Sequence, residues 1–497
     1  MKKSLFIFVV LFALIFANES YGQKNPKREF RGAWYPTVVN TTWKNMTTEE
    51  IKADIIYNLD IFKKLHINAV VFQVRPQADA LFVSALEPWS RFITGTQGKA
   101  PEPFFDPTQF VIDECHKRGM EMHAWFNPYR VTSNNKEILA PDHLYFKHPE
   151  LFVSYGPQMY FDPGNPGSRE HTVKVISDFV RRYDADAIHF DDYFYPYRLP
   201  YLEFPDEESF IKYHDIDGFG RFDKNNWRRN NVNILVKELS KTIKEIKPWV
   251  KFGISPFGVW RNIGIDPTGS ESSSLQTNYD DLYADILLWM KEGWIDYTAP
   301  QIYKEIGHAR ANYLPLVKWW SKNNNGVNIY IGQSITSQLE INNSNGDLVN
   351  QLYRKMAMVK GDNNIQGNIW WSGLGFSSNK KLMDSLMNNY QKYPSLMPLY
   401  KNIDTLPPKT AKGVALKKGT LVWTAPIANN EMDKVIFYCI YRFGINETVD
   451  ISNPAKLIDI VGETKFRTDG SRGVKYVVTS LDRMQNESKP SNIVIRR

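Results

Sequence analysis

The chain has 497 residues, 42% of them hydrophobic and 14% aromatic, with a formal net charge of +7 and two cysteines. That length holds a large core plus a second domain. The positive charge is scattered without basic runs, which excludes nucleic acid as a partner, and two cysteines exclude a disulfide framework.

The chain begins Met1-Lys2-Lys3, continues with an apolar run over 5–17 and reaches small residues at Ser20 and Gly22. A positive start, a short apolar stretch and small residues read as a secretory signal over 1–22. A membrane anchor needs about 20 apolar residues, so the mature chain is expected to be exported, periplasmic or secreted, with no membrane span.

From Phe30 onward, short β-branched or aromatic runs alternate with amphipathic helical patterns. Strands are expected at 30–39, 69–74, 120–126, 187–190, 251–255, 295–302, 328–331 and 368–371. Helices are expected at 48–65, 108–118, 169–183, 226–246, 279–292, 312–321, 348–360 and 380–390. In the first helix Ile51, Ile55, Leu59 and Phe62 recur at helical spacing behind a Thr-Glu capping signal. Eight strand-helix units predict an α/β fold, a (β/α)8 TIM barrel over 28–393. The connections from helix to strand are short, as at Gly119 and Gly293, and four from strand to helix are long, over 75–106, 127–168, 193–225 and 256–278. Long loops on one face build a site at the carboxyl ends of the strands.

Pro394, Pro398, Pro407 and Pro408 mark 394–410 as a linker. Beyond it, period-2 runs around Trp423, Val435, Leu457 and Tyr476 predict a small all-β, immunoglobulin-like sandwich over 411–497. Leu421-Val-Trp-Thr-Ala-Pro426 and Tyr476-Val-Val-Thr-Ser-Leu-Asp482 resemble the fibronectin type III pattern, which implies no catalysis.

The chemistry is expected where the fourth strand ends in Asp191-Asp192. Alternation along the strand puts His189, Asp191 and Tyr193 on one side, making Asp191 the inward-facing carboxylate. Repulsion between adjacent carboxylates raises the pKa of one, which then donates a proton near neutral pH while its neighbour orients or stabilises charge. Capping a loop or pairing with Arg198 is the plainer reading of one of them. Other strand ends offer Arg75, Asn127, Tyr129, Gln301, Tyr303 and Glu305, with Trp260 as a stacking surface for a sugar ring. No histidine cluster completes a metal set with His189 and Asp191, and no nucleophile elbow, P-loop or dinucleotide fingerprint occurs. No cofactor is expected. Glycoside hydrolysis by carboxylates remains, acting on a polysaccharide or oligosaccharide. A non-catalytic glycan-binding barrel is the rival reading.

The stretches 28–40, Phe72-Gln-Val-Arg-Pro-Gln-Ala-Asp79, Ala124-Trp-Phe-Asn-Pro-Tyr-Arg130 and Ile188-His-Phe-Asp-Asp-Tyr-Phe-Tyr-Pro196 resemble the glycosyl-hydrolase-like family 10 proteins. These are exported bacterial barrels that include digeponidase-type peptidoglycan glycosidases. The resemblance spans about 28–390 and implies cleavage of glycan strands stripped of their stem peptides, with the substrate N-acetyl group able to assist. Ordinary retaining barrels carry a nucleophile after strand seven, but Ile329-Tyr-Ile-Gly-Gln-Ser334 holds no acid. The second carboxylate is therefore sought at Asp192, Glu305, Asp266 or Asp79, or replaced by the substrate.

Overall fold

The computed structural model describes residues 25–38, 42–335 and 348–497. The secretory signal expected over 1–22 lies outside the described residues, as does Val39 at the end of the first expected strand.

Eight parallel strands close into a barrel: β1 (Phe30–Tyr35), β2 (Ala69–Arg75), β3 (Glu121–Phe126), β4 (Ala187–Phe190), β5 (Lys251–Ile254), β6 (Tyr297–Thr298), β7 (Asn328–Ser334) and β8 (Gly367–Trp371). Pairing of β1 with β8 completes the ring, so no strand edge is left unpaired. Helices pack outside it as the 3.6-residue pattern requires. In Thr48–Lys64 the Thr47 hydroxyl accepts from the Glu50 amide, the Glu50 carboxylate accepts from the Thr47 amide, and Ile51, Ile55, Leu59 and Phe62 are buried.

Two expected elements break where local chemistry demands it. The sixth strand stops at Thr298 because Pro300 has no N–H for the ladder, although Gln301 rejoins by donating its amide to the Pro256 carbonyl at 2.9 Å. The helix expected over 279–292 divides into Asn278–Asp281 and Ile286–Lys291, with Tyr283 between them at φ 54°.

Inward positions alternate along each strand and stack in layers. Phe30 stacks on Tyr330 at 3.7 Å, and Trp34, Val71, Trp125, Ala187, Tyr297 and Ile369 fill the levels around them. At Gly253 a Cβ would sit 2.0 Å from the Tyr297 ring, so only glycine lets that ring lie across β5.

The lower, amino-terminal mouth is closed by the chain beyond the barrel. The Glu29 amide donates to the Leu396 carbonyl and the Leu396 amide to the Lys27 carbonyl, each at 2.9 Å, and Leu396, Met397 and Tyr400 are buried. The first half of the segment expected as a linker is therefore a packed plug, because it carries apolar side chains that a solvated linker lacks. The remainder forms two antiparallel sheets. One contains Lys412–Lys417, Thr420–Thr424 and Lys465–Arg467; the other contains Leu457–Val461, Val435–Gly444, Val474–Asp482 and Val494–Arg496. This sandwich meets the barrel through ion pairs of Arg483 with Asp184 at 2.8 Å and Lys63 with Asp459 at 2.5 Å, while Met484 is buried with the barrel's interior residues. Cys115 and Cys439 are separate buried thiols.

Candidate active site

The buried run Ala187-Ile-His-Phe190 carries β4 to the upper mouth and releases Asp191 there. Phe190 packs outward on Phe252 at 5.3 Å, whereas His189 turns inward, so the alternation leaves Asp191 facing a cleft of about 930 Å³. Asp191 keeps partial contact with the cleft, while Asp192 is 1% exposed.

The pair is held by directed hydrogen bonds. Asp191 Oδ1 accepts from the Asp192 amide and from Gln301 Nε2, both at 2.9 Å, and the same Gln301 amide donates to the Ser255 carbonyl at 3.0 Å. The Tyr197 hydroxyl donates to Asp192 Oδ2. Burial, then the charge of Asp192, pushes the Asp191 carboxyl well above the usual carboxylate range. Burial also raises Asp192, but the Tyr197 hydroxyl opposes it. The two titrate as a coupled pair in which Asp192 ionises first and Asp191 keeps the proton.

Around them stands a floor of indoles. Trp371 meets Trp34 edge-on at 6.1 Å and Trp125 at 5.9 Å, and Tyr303 meets Trp34 edge-on at 6.3 Å. Arg130 lies over the Tyr193 ring at 4.2 Å. Lys304, His308 and Arg310 line another wall, with Phe257 and Leu275 as apolar surface. Gln73 binds the Thr37 and Val38 amides through Oε1, and its Nε2 has no partner among the described residues.

Of the residues expected at the site, Asp191, Asp192, Tyr193, Gln301 and Tyr303 line the cleft. The others are placed elsewhere. Arg75 is fully engaged: it forms a two-pronged ion pair with Glu87 at 2.5 and 2.7 Å and donates to the Asn127 carbonyl. Asn127 accepts from the Trp125 indole at 3.0 Å and so supports the floor from behind. Tyr129 is buried, with its hydroxyl unpartnered among the described residues. His189 lies under the floor and accepts from the Trp34 indole at 3.2 Å. Trp260 stacks on Trp319 at 5.6 Å and is outside the cleft lining, as is Glu305. Asp266 is ion-paired with Arg261 at 2.6 Å, and Asp79 is buried against Gln97 at 3.0 Å. Gln333 donates to Tyr313 at 2.5 Å and Asn368 at 2.9 Å. Among the described residues the cleft's only lining carboxylates are therefore Asp191 and Asp192. Gln73, Arg130 and Trp371 stand among the polar and aromatic groups at strand ends without being among the residues expected to bind substrate, and Trp34 is not among those strand-end groups. Inward alternation on β1, β2 and β8 is the signal that points to Trp34, Gln73 and Trp371.

No described helix is long and apolar enough to cross a membrane. The family model described as glycosyl hydrolase-like 10 matches residues 29–350. Glycosyl hydrolase YngK of Bacillus subtilis (strain 168) is 41% identical over 486 residues, covering 93% of this chain and 92% of that protein. Glycosyl hydrolase DigH of Escherichia coli (strain K12) is 40% identical over 311 residues, covering 59% of this chain and 69% of that protein. With a carboxyl pair at the mouth of a closed eight-stranded barrel, the chain belongs to the glycosyl hydrolase-like 10 family and is a glycoside hydrolase.

Proposed function

We propose that this protein is an exported enzyme that cleaves bacterial cell-wall glycan strands, using Asp191 as acid and base and the substrate's own N-acetyl group in place of a protein nucleophile. The observation that carries the reading is that the cleft offers one adjacent carboxyl pair and, among the described residues, no carboxylate on an opposing wall. Two carboxyls that share one strand end cannot flank a glycosidic bond from both sides. Asp191 gives its proton to the leaving oxygen as the C1–O bond breaks, and the acetamido oxygen forms a bond to C1. Water then attacks C1, the bond between C1 and the acetamido oxygen breaks, and one proton of the water goes to Asp191. Asp192 keeps Asp191 protonated until that moment through its charge, and Tyr303, whose phenol faces the pair, orients the reacting sugar.

The cell-wall assignment draws support from the walls. Arg130, Lys304 and Arg310 line the cleft with no ion-pair partner among the described residues, which suits the free carboxylates of glycan strands without stem peptides. The same proposal includes a fibronectin type III character for the sandwich, supported by its three- and four-stranded sheets.

The mature chain, incubated with peptide-free peptidoglycan strands, is expected to release saccharides detectable by mass spectrometry, with the anomeric configuration retained. Strands whose 2-acetamido groups have been removed should resist cleavage. Their cleavage at an unchanged rate would rule out participation of the N-acetyl group.

A further inference from the structure

A chain of hydrogen bonds runs down the inside of the barrel from the cleft floor to the opposite mouth. Trp34 Nε1 donates to His189 Nε2 at 3.2 Å. His189 Nδ1 meets the Tyr297 hydroxyl at 2.9 Å, the same hydroxyl meets His123 Nδ1 at 2.9 Å, and His123 Nε2 meets Glu121 Oε2 at 2.9 Å. Glu121 Oε1 accepts from Lys251 Nζ and from Gln485 Nε2 of the sandwich, each at 2.8 Å. Every one of these side chains is buried.

The two ends dictate the direction of each link. An indole nitrogen can only donate, so His189 Nε2 accepts and its proton sits on Nδ1. That proton goes to the Tyr297 oxygen, leaving the hydroxyl to donate to His123 Nδ1, so His123 carries its proton on Nε2. Glu121 as a carboxylate can only accept, which demands the same arrangement from below. Burial favours a neutral Glu121, but the Lys251 charge and the His123 hydrogen bond hold it below the usual range. Burial also keeps His189 neutral. The Ser255 hydroxyl lies 3.0 Å from the same His189 Nε2; with that nitrogen accepting from the indole, this hydroxyl is left to donate to the Phe190 carbonyl, and the chain is satisfied in one direction from both ends.

We propose that Glu121, His123 and Tyr297 are positioning residues for glycoside cleavage: the carboxylate at the lower mouth sets the direction of the chain, which holds the Trp34 indole in one orientation on the cleft floor. Gln485 makes the sandwich part of this support. Trp34 contacts both Trp371 and Tyr303 at the site, so its rotation displaces the surface on which the sugar rests. The proposal rests on the cleft being the site of hydrolysis, but its first test needs no substrate.

In the full chain labelled with 15N-histidine, NMR should show His189 as the Nδ1–H tautomer and His123 as the Nε2–H tautomer. The opposite tautomer at either residue overturns the proposal, whatever the enzyme cleaves. Tyr297→Phe keeps the ring and removes both links. It should lower kcat on glycan strands about tenfold or more, with KM changed by less than about threefold. In a Trp34→Phe background the same substitution should cost almost nothing further, because both act through one contact. Independent, multiplying losses would show that Tyr297 does not act through Trp34. If Tyr297→Phe fails to fold, the tautomers of the unaltered chain decide the matter.

Discussion

Asp191 occupies a place hostile to its own charge. Burial and the neighbouring Asp192 raise its pKa in the folded chain, and unfolding restores the ordinary value near 3.9. Its contribution to stability is therefore complete below the unfolded value and is lost as pH rises through the folded one. Three expectations follow from this one residue. Asp191→Asn should lower turnover by about 10²- to 10⁴-fold while leaving circular dichroism unchanged. The same variant should melt at a higher temperature than the parent at pH 8, with the gap closing as pH falls toward about 4. Parent turnover should fall with rising pH as Asp191 deprotonates, which a pH profile of kcat would reveal. The pair was legible in the sequence because an apolar run ending in two carboxylates is a local pattern. Arg75 was misleading for the opposite reason: its partner Glu87 lies twelve residues away, in a loop whose path no periodicity predicts.

At the scale of elements, β2 and its following loop are tied by that ion pair. Burial alone would raise the Glu87 carboxyl, but Arg75 and His171 hold it down at about 2. Its contribution is present above the ordinary unfolded value of about 4.3 and is lost as pH falls through about 2. Glu87→Gln leaves the Arg75 guanidinium buried without its counter-charge and should cost about 3–5 kcal/mol at pH 7, measured by denaturant unfolding. The difference from the parent should shrink below about pH 4. Activity should fall as well, because Arg75 holds the Asn127 carbonyl and Asn127 holds the Trp125 indole. The helices were legible wherever apolar spacing and a cap agreed, as over Thr48–Lys64. The broken sixth strand was less so, since Pro300 sits inside Ile295-Asp-Tyr-Thr-Ala-Pro-Gln-Ile302, whose β-prone residues on both sides read as one strand.

At the scale of the molecule, barrel, plug and sandwich are packed and hydrogen-bonded to one another. Met397 and Tyr400 close the lower mouth, Leu396 is buried in the sandwich core, and Gln485 reaches Glu121 inside the barrel. Calorimetry of the full chain should show a single unfolding transition. A chain ending at residue 410 loses the Arg483–Asp184 pair, the burial of Met484 and the Gln485 hydrogen bond, and should melt about 5 °C lower or more. Two separate transitions in the full chain would contradict this coupling. By itself the sequence determined the eight units, the sandwich and the carboxyl pair, because hydrophobic period and strand ends are properties of neighbouring residues. Only the tertiary structure decided which strand-end groups face the sugar and which are spent holding the scaffold. Those choices are made by partners as distant as Trp34 and His189, 155 residues apart, or Glu121 and Gln485, 364 apart, which meet only when the barrel closes.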